Sequence, residues 1–129
     1  MALDENFKDR SYQFGRLLAV MEEIERKADN NNEKKDTNAI RLQSMFVKRP
    51  AYAFTLIMEQ LKNAYYPKLN QGYRVMYEKI IGQIMEEIST YPASEYGKPL
   101  SELYIVGYYL QKNYMYKKHA KDKEIKEAE

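Results

Sequence analysis

The residues of this chain best suited to binding chemistry are cations that alternate with tyrosines. Between Asp36 and Lys79, seven basic residues outnumber three acidic ones, which leaves a local charge of +4. Such cations can follow a phosphate backbone without reading base identity. Tyrosines beside them can stack on unpaired bases, at about 1 to 3 kcal/mol per base. The tyrosines in question are Tyr52, Tyr65, Tyr66 and Tyr73. The candidate DNA-binding cations are Arg41, Lys48, Arg49, Lys62, Lys68, Arg74 and Lys79, followed by Lys112, Lys117 and Lys118.

The same pattern has a plainer interpretation. The tyrosines could lie at the rim of a core with their hydroxyls in water, and the cations could form an ordinary solvated face. Composition alone favours this alternative, since the net charge of the whole chain is only +2. Residues 80–102 carry the opposite balance, with four acids against one lysine, so that region would suit a protein neighbour better than a polyanion.

Residue types that carry catalysis are scarce. His119 is the only histidine, it lies in a lysine-rich stretch, and the chain has no cysteine. The serines have no evident base partner, and the pairs Glu22-Glu23 and Glu86-Glu87 are expected on solvated helix faces. No P-loop, Gly-x-Gly-x-x-Gly or His-Glu-x-x-His pattern occurs. The sequence therefore predicts no catalytic residue, no metal site and no cofactor, which makes an enzyme the least favoured class.

Length and composition indicate one domain. The chain has 129 residues, of which 44% are hydrophobic and 31% charged. Its mean hydropathy is −0.76, and no apolar run approaches the roughly 18 residues of a membrane span. The absence of cysteine and of a basic segment followed by an apolar one at the N-terminus favours a cytoplasmic protein.

Hydrophobic periodicity predicts an all-α fold, a compact bundle of about five helices with no strand. We expect a mobile N-terminus over 1–10, one helical-bundle domain over 11–118 and a charged tail over 119–129. The predicted helices run from Ser11 to Ala28, from Ala39 to Lys48, from Pro50 to Pro67, from Tyr73 to Ile88 and from Ser101 to Lys118.

The predicted helices have distinct faces. In the first, the residues that recur at helical spacing and should face the core are Phe14, Leu17, Leu18, Met21, Ile24 and Ala28. Its polar residues, which include Arg16 and Glu22, should face solvent. In the third, we expect Ala53, Leu56, Ile57, Leu61 and Ala64 to be buried. In the last, Ser101 should cap the helix and the apolar stripe should be Leu103, Val106, Leu110 and Met115.

Glycines inside the three longest helices predict close helix contacts. Glycine costs about 1 kcal/mol relative to alanine within a helix, so its presence suggests a neighbouring backbone that excludes a side chain. Gly15, Gly82 and Gly107 are these positions, and Gly15 is expected to oppose Gly107.

Four segments together resemble a known family. Tyr12 to Ala28 resembles the "Y-x-x-G-R-L-L-A-V-L-E-x-I-Q-x-x-A" segment in the C-terminal part of the large subunit of type I-C CRISPR effector (Cascade) complexes. Arg49-Pro50-Ala51 resembles that family's R-P-A turn. Tyr77 to Ile88 resembles its "Y-E-K-L-I-G-E-I-M-x-x-I" helix, and Leu103 to Lys112 its "L-F-x-L-G-Y-Y-x-Q-R" helix. The four occur in the family's order and cover most of the chain.

The resemblance implies a function. This region of the large subunit is also made as a free small subunit from an internal start codon, and a chain that begins at Met1 fits that product. The small subunit is non-catalytic and lies along the guide-RNA filament. Its partners would be the backbone and large subunits, the guide-RNA complex, the displaced single-stranded DNA and further copies of itself, with no membrane or small-molecule substrate. Because R-loop formation is nearly balanced in free energy, modest contacts to the displaced strand can favour it.

A second hypothesis belongs to another class. The chain could be a helical protein-interaction spacer that makes no nucleic-acid contact of its own. Salt dependence separates the two hypotheses, because phosphate contacts weaken steeply with ionic strength and apolar docking does not.

Overall fold

The structure is a computed structural model that describes residues 3–29, 41–90 and 98–128. Within these ranges all regular structure is helical, which confirms the predicted all-α bundle of five helices. The third helix continues into a π-helical turn, Leu61–Tyr65, and a 3-10 turn, Tyr66–Lys68. The helices are α1 (Arg10–Asp29), α2 (Gln43–Lys48), α3 (Pro50–Gln60), α4 (Gln71–Ile88) and α5 (Leu103–Ala128).

Helix α1 is the centre of the bundle. Helix α5 runs parallel to it, since the Ser101 amide donates to Ser11 Oγ at 2.8 Å at one end and Lys112 reaches Glu22 further along both helices. Helix α4 runs antiparallel to α1. Its Tyr73, in the first turn, lies beside Lys27, near the end of α1. Helices therefore pack on both sides of α1.

This central position overturns one expectation about α1. Arg16 and Glu22, predicted to face solvent, are both only 2% exposed. A helix packed by neighbours on several sides has no continuous solvent face, so its polar residues must be buried with partners. Of the second glutamate pair, Glu86 is exposed as expected, whereas Glu87 is partly covered by an ion pair with Lys8 at 3.1 Å.

The core draws on all five helices. The stripe predicted for α1 is buried except for Ala28, which is partly buried. Of the residues predicted for the third helix, Ala53 and Ile57 are buried, Leu56 is partly buried, and Ala64, past the start of the π-helical turn at Leu61, is exposed. The side chain of Leu61 lies outside the described residues. The other helices contribute large buried side chains. These are Phe46 of α2, Tyr77, Ile81, Ile84 and Ile88 of α4, and Tyr108 and Met115 of α5.

The buried face of α5 differs from the predicted stripe. Leu103 is 37% exposed, and Val106 and Leu110 are only partly buried, while Met115 is buried as expected. Besides Met115, the buried residues of α5 that the structure describes are Gly107, Tyr108 and Gln111, and each of these three contacts α1. The prediction failed because it selected aliphatic residues, and the actual contact uses a glycine, a tyrosine and a glutamine.

Two of the three glycine predictions are confirmed. A Cβ at Gly15 would overlap the backbone carbonyl of Tyr104, and a Cβ at Gly107 would overlap that of Tyr12. The backbones of α1 and α5 are therefore in direct contact. At Gly82 a Cβ would meet no atom within 4 Å, so the predicted close approach there is wrong.

The helix boundaries largely follow their sequence signals. Asp9 Oδ1 accepts from the Tyr12 amide at 2.9 Å and so caps α1, slightly earlier than the predicted start at Ser11. Pro50 is the first residue of α3, as predicted. Ser101 Oγ accepts from the Leu103 amide at 3.4 Å at the start of α5. The first residues of the predicted second helix lie outside the described residues, and the division into N-terminus, bundle and tail stays a prediction.

No helix within the described ranges has both the length and the apolar character that crossing a membrane requires.

Candidate nucleic-acid interface

The beginning of α4 is a positively charged part of the surface. Asn70 caps this helix, because its Oδ1 accepts from the Tyr73 amide at 2.9 Å. The first turn of α4 contains no acidic residue, so the positive end of the helix dipole is not neutralised within it. Lys68, at the end of the preceding 3-10 turn, and Arg74 are both exposed here. The local field therefore favours an anion.

Three cations at this end of the bundle lie over tyrosine rings. Lys27 Nζ is 4.3 Å from the Tyr73 ring centroid, Arg74 Cζ is 5.5 Å from that of Tyr66, and Lys68 Nζ is 6.0 Å from that of Tyr65. All three distances are within the range of a cation–π contact. We call this set the cation–tyrosine cluster; its members are Lys27, Tyr65, Tyr66, Lys68, Tyr73 and Arg74.

The tyrosines of the cluster differ in exposure. Tyr66 is 6% exposed, and burial raises the pKa of its phenol. Its ring therefore packs under the Arg74 guanidinium and is too buried to stack on a base. Tyr65 and Tyr73 are partly exposed, and the Tyr73 ring is stacked on Tyr77 at 6.3 Å with an interplanar angle of 20°. Lys27 and Tyr77 thus hold the Tyr73 ring in a fixed orientation, with part of the side chain at the surface.

Arg74 of the cluster makes a surface ion pair with Glu78, which lies outside the cluster. Arg74 Nε lies 3.2 Å from Glu78 Oε1, and the two side chains are 51% and 49% exposed. An exposed pair of this kind contributes about 0 to 1 kcal/mol. It orients the guanidinium without holding it strongly, so Arg74 remains able to contact a phosphate.

The structure does not bring all predicted cations together. Lys48 and Arg49 are exposed at the junction of α2 and α3, where Phe46 packs against Phe14 at a ring distance of 5.9 Å. Phe14 and Lys27 are thirteen residues apart on α1, which corresponds to about 20 Å along the helix. The predicted group therefore divides between the two ends of α1.

The remaining predicted cations are placed as follows. Arg41, Lys79 and Lys117 are exposed. Lys112 is paired with the buried Glu22 at 3.5 Å, which reduces its availability to a phosphate. The side chains of Lys62 and Lys118 lie outside the described residues.

Sequence reasoning missed Lys27 as a member of this interface. Lys27 belongs to the polar residues of the first helix, which the sequence predicts to face solvent, and it is far in sequence from the other cations. The available signal was the basic last turn of α1, Arg26 and Lys27, which the fold brings beside the start of α4. The antiparallel pairing of α1 with α4, which the sequence did not reveal, creates the contact.

Two buried polar networks cross the seam between α1 and α5. In the first, Arg16 donates to side-chain oxygens of Gln111, Gln13 and Gln83 at 2.9, 2.8 and 2.9 Å. Burial lowers the pKa of Arg16, an effect that nearby acids, Glu5 first, oppose. This network connects α1, α4 and α5, and it fixes the position of each helix along the others through directional hydrogen bonds.

In the second network, the Tyr108 hydroxyl donates to Glu22 Oε2. Arg26 and Lys112 approach the other oxygen of Glu22 at 3.0 and 3.5 Å. The pKa of Tyr108 is raised by burial and, next, by its hydrogen bond to Glu22. In both networks the polar side chains bind one another between packed helices, so their role is to hold the fold together. In the part of the chain that the structure describes, no group of three or more histidines, cysteines or acids is arranged to hold a metal ion.

Comparison with known proteins shows a family to which this chain is similar. The model of a family described as CRISPR-associated protein (Cas_Csd1) matches residues 1–116, from the segment before α1 to Tyr116 in α5. A search of curated proteins found no match.

Proposed function

Since the chain belongs to the Cas_Csd1 family of CRISPR-associated proteins, we propose that it is a non-catalytic small subunit of a type I-C RNA-guided surveillance complex. In this role it holds the displaced single strand of DNA after guide and target have paired. It acts in the cytoplasm beside the backbone and large subunits, and it takes no small-molecule substrate. R-loop formation is nearly balanced in free energy, so contacts without a base code are sufficient for the task.

The observation that carries this proposal is the cation–tyrosine cluster. Single-strand binding without sequence preference combines cations that follow the backbone with aromatic rings on which bases stack. Lys68 and Arg74 supply exposed cations, and Tyr73 supplies a partly exposed ring of fixed orientation. We assign the primary contact to this cluster. Lys48, Arg49 and Arg41 would follow the strand further along the bundle.

The test is binding of a labelled random single strand and of matched duplex to the isolated chain, at low and moderate salt. The double variant Lys68→Gln/Arg74→Gln should bind the single strand about tenfold more weakly, and its salt slope should fall by about 1.4, or 0.7 for each lost phosphate. The matched control, Arg41→Gln/Lys48→Gln, removes the same charge from exposed positions and should lose less. Equal binding by the cluster variant and the unmodified chain would overturn the assignment.

A second arm uses the assembled guide complex that lacks this subunit. Addition of the unmodified chain should restore target binding, and the cluster variant should restore it poorly. This arm covers the case in which the isolated chain binds weakly and gains affinity only beside other contacts.

The spacer hypothesis also has an observation in its favour. Ile105, Tyr109 and Tyr116 are 43%, 56% and 76% exposed, and their spacing places them on one face of α5. An exposed apolar face of this kind suits a protein neighbour. If the chain restores target binding with no dependence on salt and the cluster variant does so equally well, the spacer hypothesis replaces the DNA contact.

A further inference from the structure

The segment before α1 places one carbonyl oxygen among three side-chain donors. We call residues 3–9 the N-terminal strap. The Glu5 carbonyl accepts from Gln13 Nε2 at 3.3 Å, from an Arg16 terminal nitrogen at 3.2 Å and from Gln83 Nε2 at 3.1 Å. A carbonyl oxygen has two lone pairs, so three donors exceed what it can satisfy well. Gln13, Arg16 and Gln83 form what we call the three-donor pocket.

The pocket contains a charge that has no anion in hydrogen-bonding contact among the described residues. Arg16 is 2% exposed, and its hydrogen-bond partners there are amide or backbone oxygens. Acidic groups, among them Glu5 and Glu87, act on it only over a longer range. The bond from Arg16 to the Glu5 carbonyl is charged only on the donor side, and an anionic oxygen would add direct attraction between opposite charges, so it would satisfy this pocket better than a carbonyl does.

The strap that covers the pocket is held by polar contacts and by one ring contact. The Asp4 amide donates to the Tyr12 hydroxyl at 3.0 Å, and the Phe7 carbonyl accepts from Gln13 Nε2 at 2.9 Å. The strap residues from Asp4 to Lys8 are largely exposed. Lys8 pairs with Glu87 at 3.1 Å, although the Lys8 side chain is 68% exposed, and Phe7 packs on Tyr12 while it remains 40% exposed. Segments with few buried apolar contacts open locally at low free-energy cost.

We propose that Gln13, Arg16 and Gln83 form a phosphate-oxygen site that the Glu5 carbonyl occupies, and that a nucleic-acid phosphate takes its place when the strap lifts. The inference rests on the proposed contact with single-stranded DNA and adds a second, covered site to it. The strap carries Asp4 and Glu5, so its departure also removes two acids from beside the pocket. Apparent affinity would then depend on the fraction of molecules in which the strap is open.

The test uses a substitution for which the proposal and ordinary surface electrostatics predict opposite changes in DNA affinity. Lys8→Ala removes a cation, so ordinary surface electrostatics predicts weaker binding of a random single strand. The proposal predicts about threefold tighter binding, because loss of the Lys8–Glu87 pair raises the open fraction. Lys79→Ala removes the same charge from an exposed candidate DNA-binding position on α4 and serves as the comparison, with weaker binding. Loss of affinity in Lys8→Ala to the same extent as in Lys79→Ala would overturn the proposal.

A second variant tests whether the pocket itself binds the strand. Gln83→Leu, added to Lys8→Ala, removes one donor from the partly buried rim of the pocket and should abolish the gain. A gain that survives this change would show that the strap merely shields a neighbouring surface, and the pocket assignment would be wrong. In parallel, the Arg16 Nε resonance of 15N-labelled chain should shift when the oligonucleotide is added; an unmoved resonance contradicts the proposal.

The outcomes separate this inference from the proposed function. If Lys68→Gln/Arg74→Gln weakens binding and Lys8→Ala gives no gain, only the covered site is overturned. If the chain contacts no single strand, alone or in the assembled complex, both proposals are overturned.

Discussion

Gly15 on α1 and Gly107 on α5 are in reciprocal contact. A Cβ on either one would overlap the carbonyl of the residue three positions before the other, Tyr104 or Tyr12. The two parallel backbones touch at this point, and side chains farther along the seam must pair across it. Arg16 accordingly reaches Gln111, and the segments that carry the family resemblance in α1 and α5 are packed directly on each other.

The glycine contact predicts opposite effects of one substitution at two helical positions. Gly107→Ala should lower the free energy of unfolding by about 1 to 3 kcal/mol, because the new methyl group forces the backbones apart. Gly82→Ala should raise it by up to about 1 kcal/mol, since a Cβ there meets no atom and alanine favours the helix. Urea denaturation of both variants measures the difference. A neutral Gly107→Ala, or an equal effect at the two sites, would contradict the packing argument.

Two buried tyrosine hydroxyls predict a second contrast. Tyr108→Phe removes a donor from the buried Glu22 carboxylate and should cost about 1 to 3 kcal/mol of stability. The Tyr77 hydroxyl is buried and has no hydrogen-bond partner among the described residues, so Tyr77→Phe should be neutral or slightly stabilising. Denaturation curves for the two variants decide the matter. A large loss in Tyr77→Phe would mean that this hydroxyl does have a partner.

The same two phenols predict alkaline sensitivity. Burial raises the pKa of Tyr77 and Tyr108 above the ordinary value of 10.0. In the unfolded chain these phenols lose their protons near pH 10, whereas the folded chain retains them. Their contribution to stability is therefore complete below pH 10 and falls above it, by up to about 1.4 kcal/mol per pH unit for each phenol.

Denaturation at pH 8, 10 and 11 tests whether stability falls as the pH rises above 10. The free energy of unfolding should fall between pH 10 and 11, and Tyr77→Phe should reduce the fall by one phenol's share. An identical fall in the variant and the unmodified chain would assign alkaline sensitivity to other groups.

Much of the fold followed from the sequence because helix signals are local. The periodicity of Phe14 to Ile24 and the position of Pro50 gave α1 and the start of α3 correctly. Glycine at 15 and 107 indicated close contact because a helix tolerates glycine poorly unless a neighbour requires it. Gly82 is also a glycine within a helix, but no neighbouring backbone lies close to it. Only the packing of α4 distinguishes Gly82 from Gly15 and Gly107.

The errors arose where the tertiary arrangement determines the environment. Arg16 and Glu22 looked like surface residues, since charged side chains are rarely buried without partners, and their partners are distant in sequence. Lys27 was likewise missed because its partner Tyr73 is distant in sequence. The two residues meet only because α1 packs against α4. The sequence indicated the tyrosines and cations of the candidate site but not which of them meet.

Charge reversal at two exposed arginines separates binding from folding. Arg49→Glu and Arg74→Glu should each weaken R-loop formation by the assembled complex, with the larger effect at Arg74 because it lies in the cluster. Thermal stability should change little: both residues are exposed, and repulsion between a carboxylate introduced at position 74 and Glu78 costs only about 0.2 to 0.5 kcal/mol. R-loop formation is followed by mobility shift on matched target DNA, and stability by thermal unfolding of the isolated chain. Loss of the fold would show that these arginines are structural.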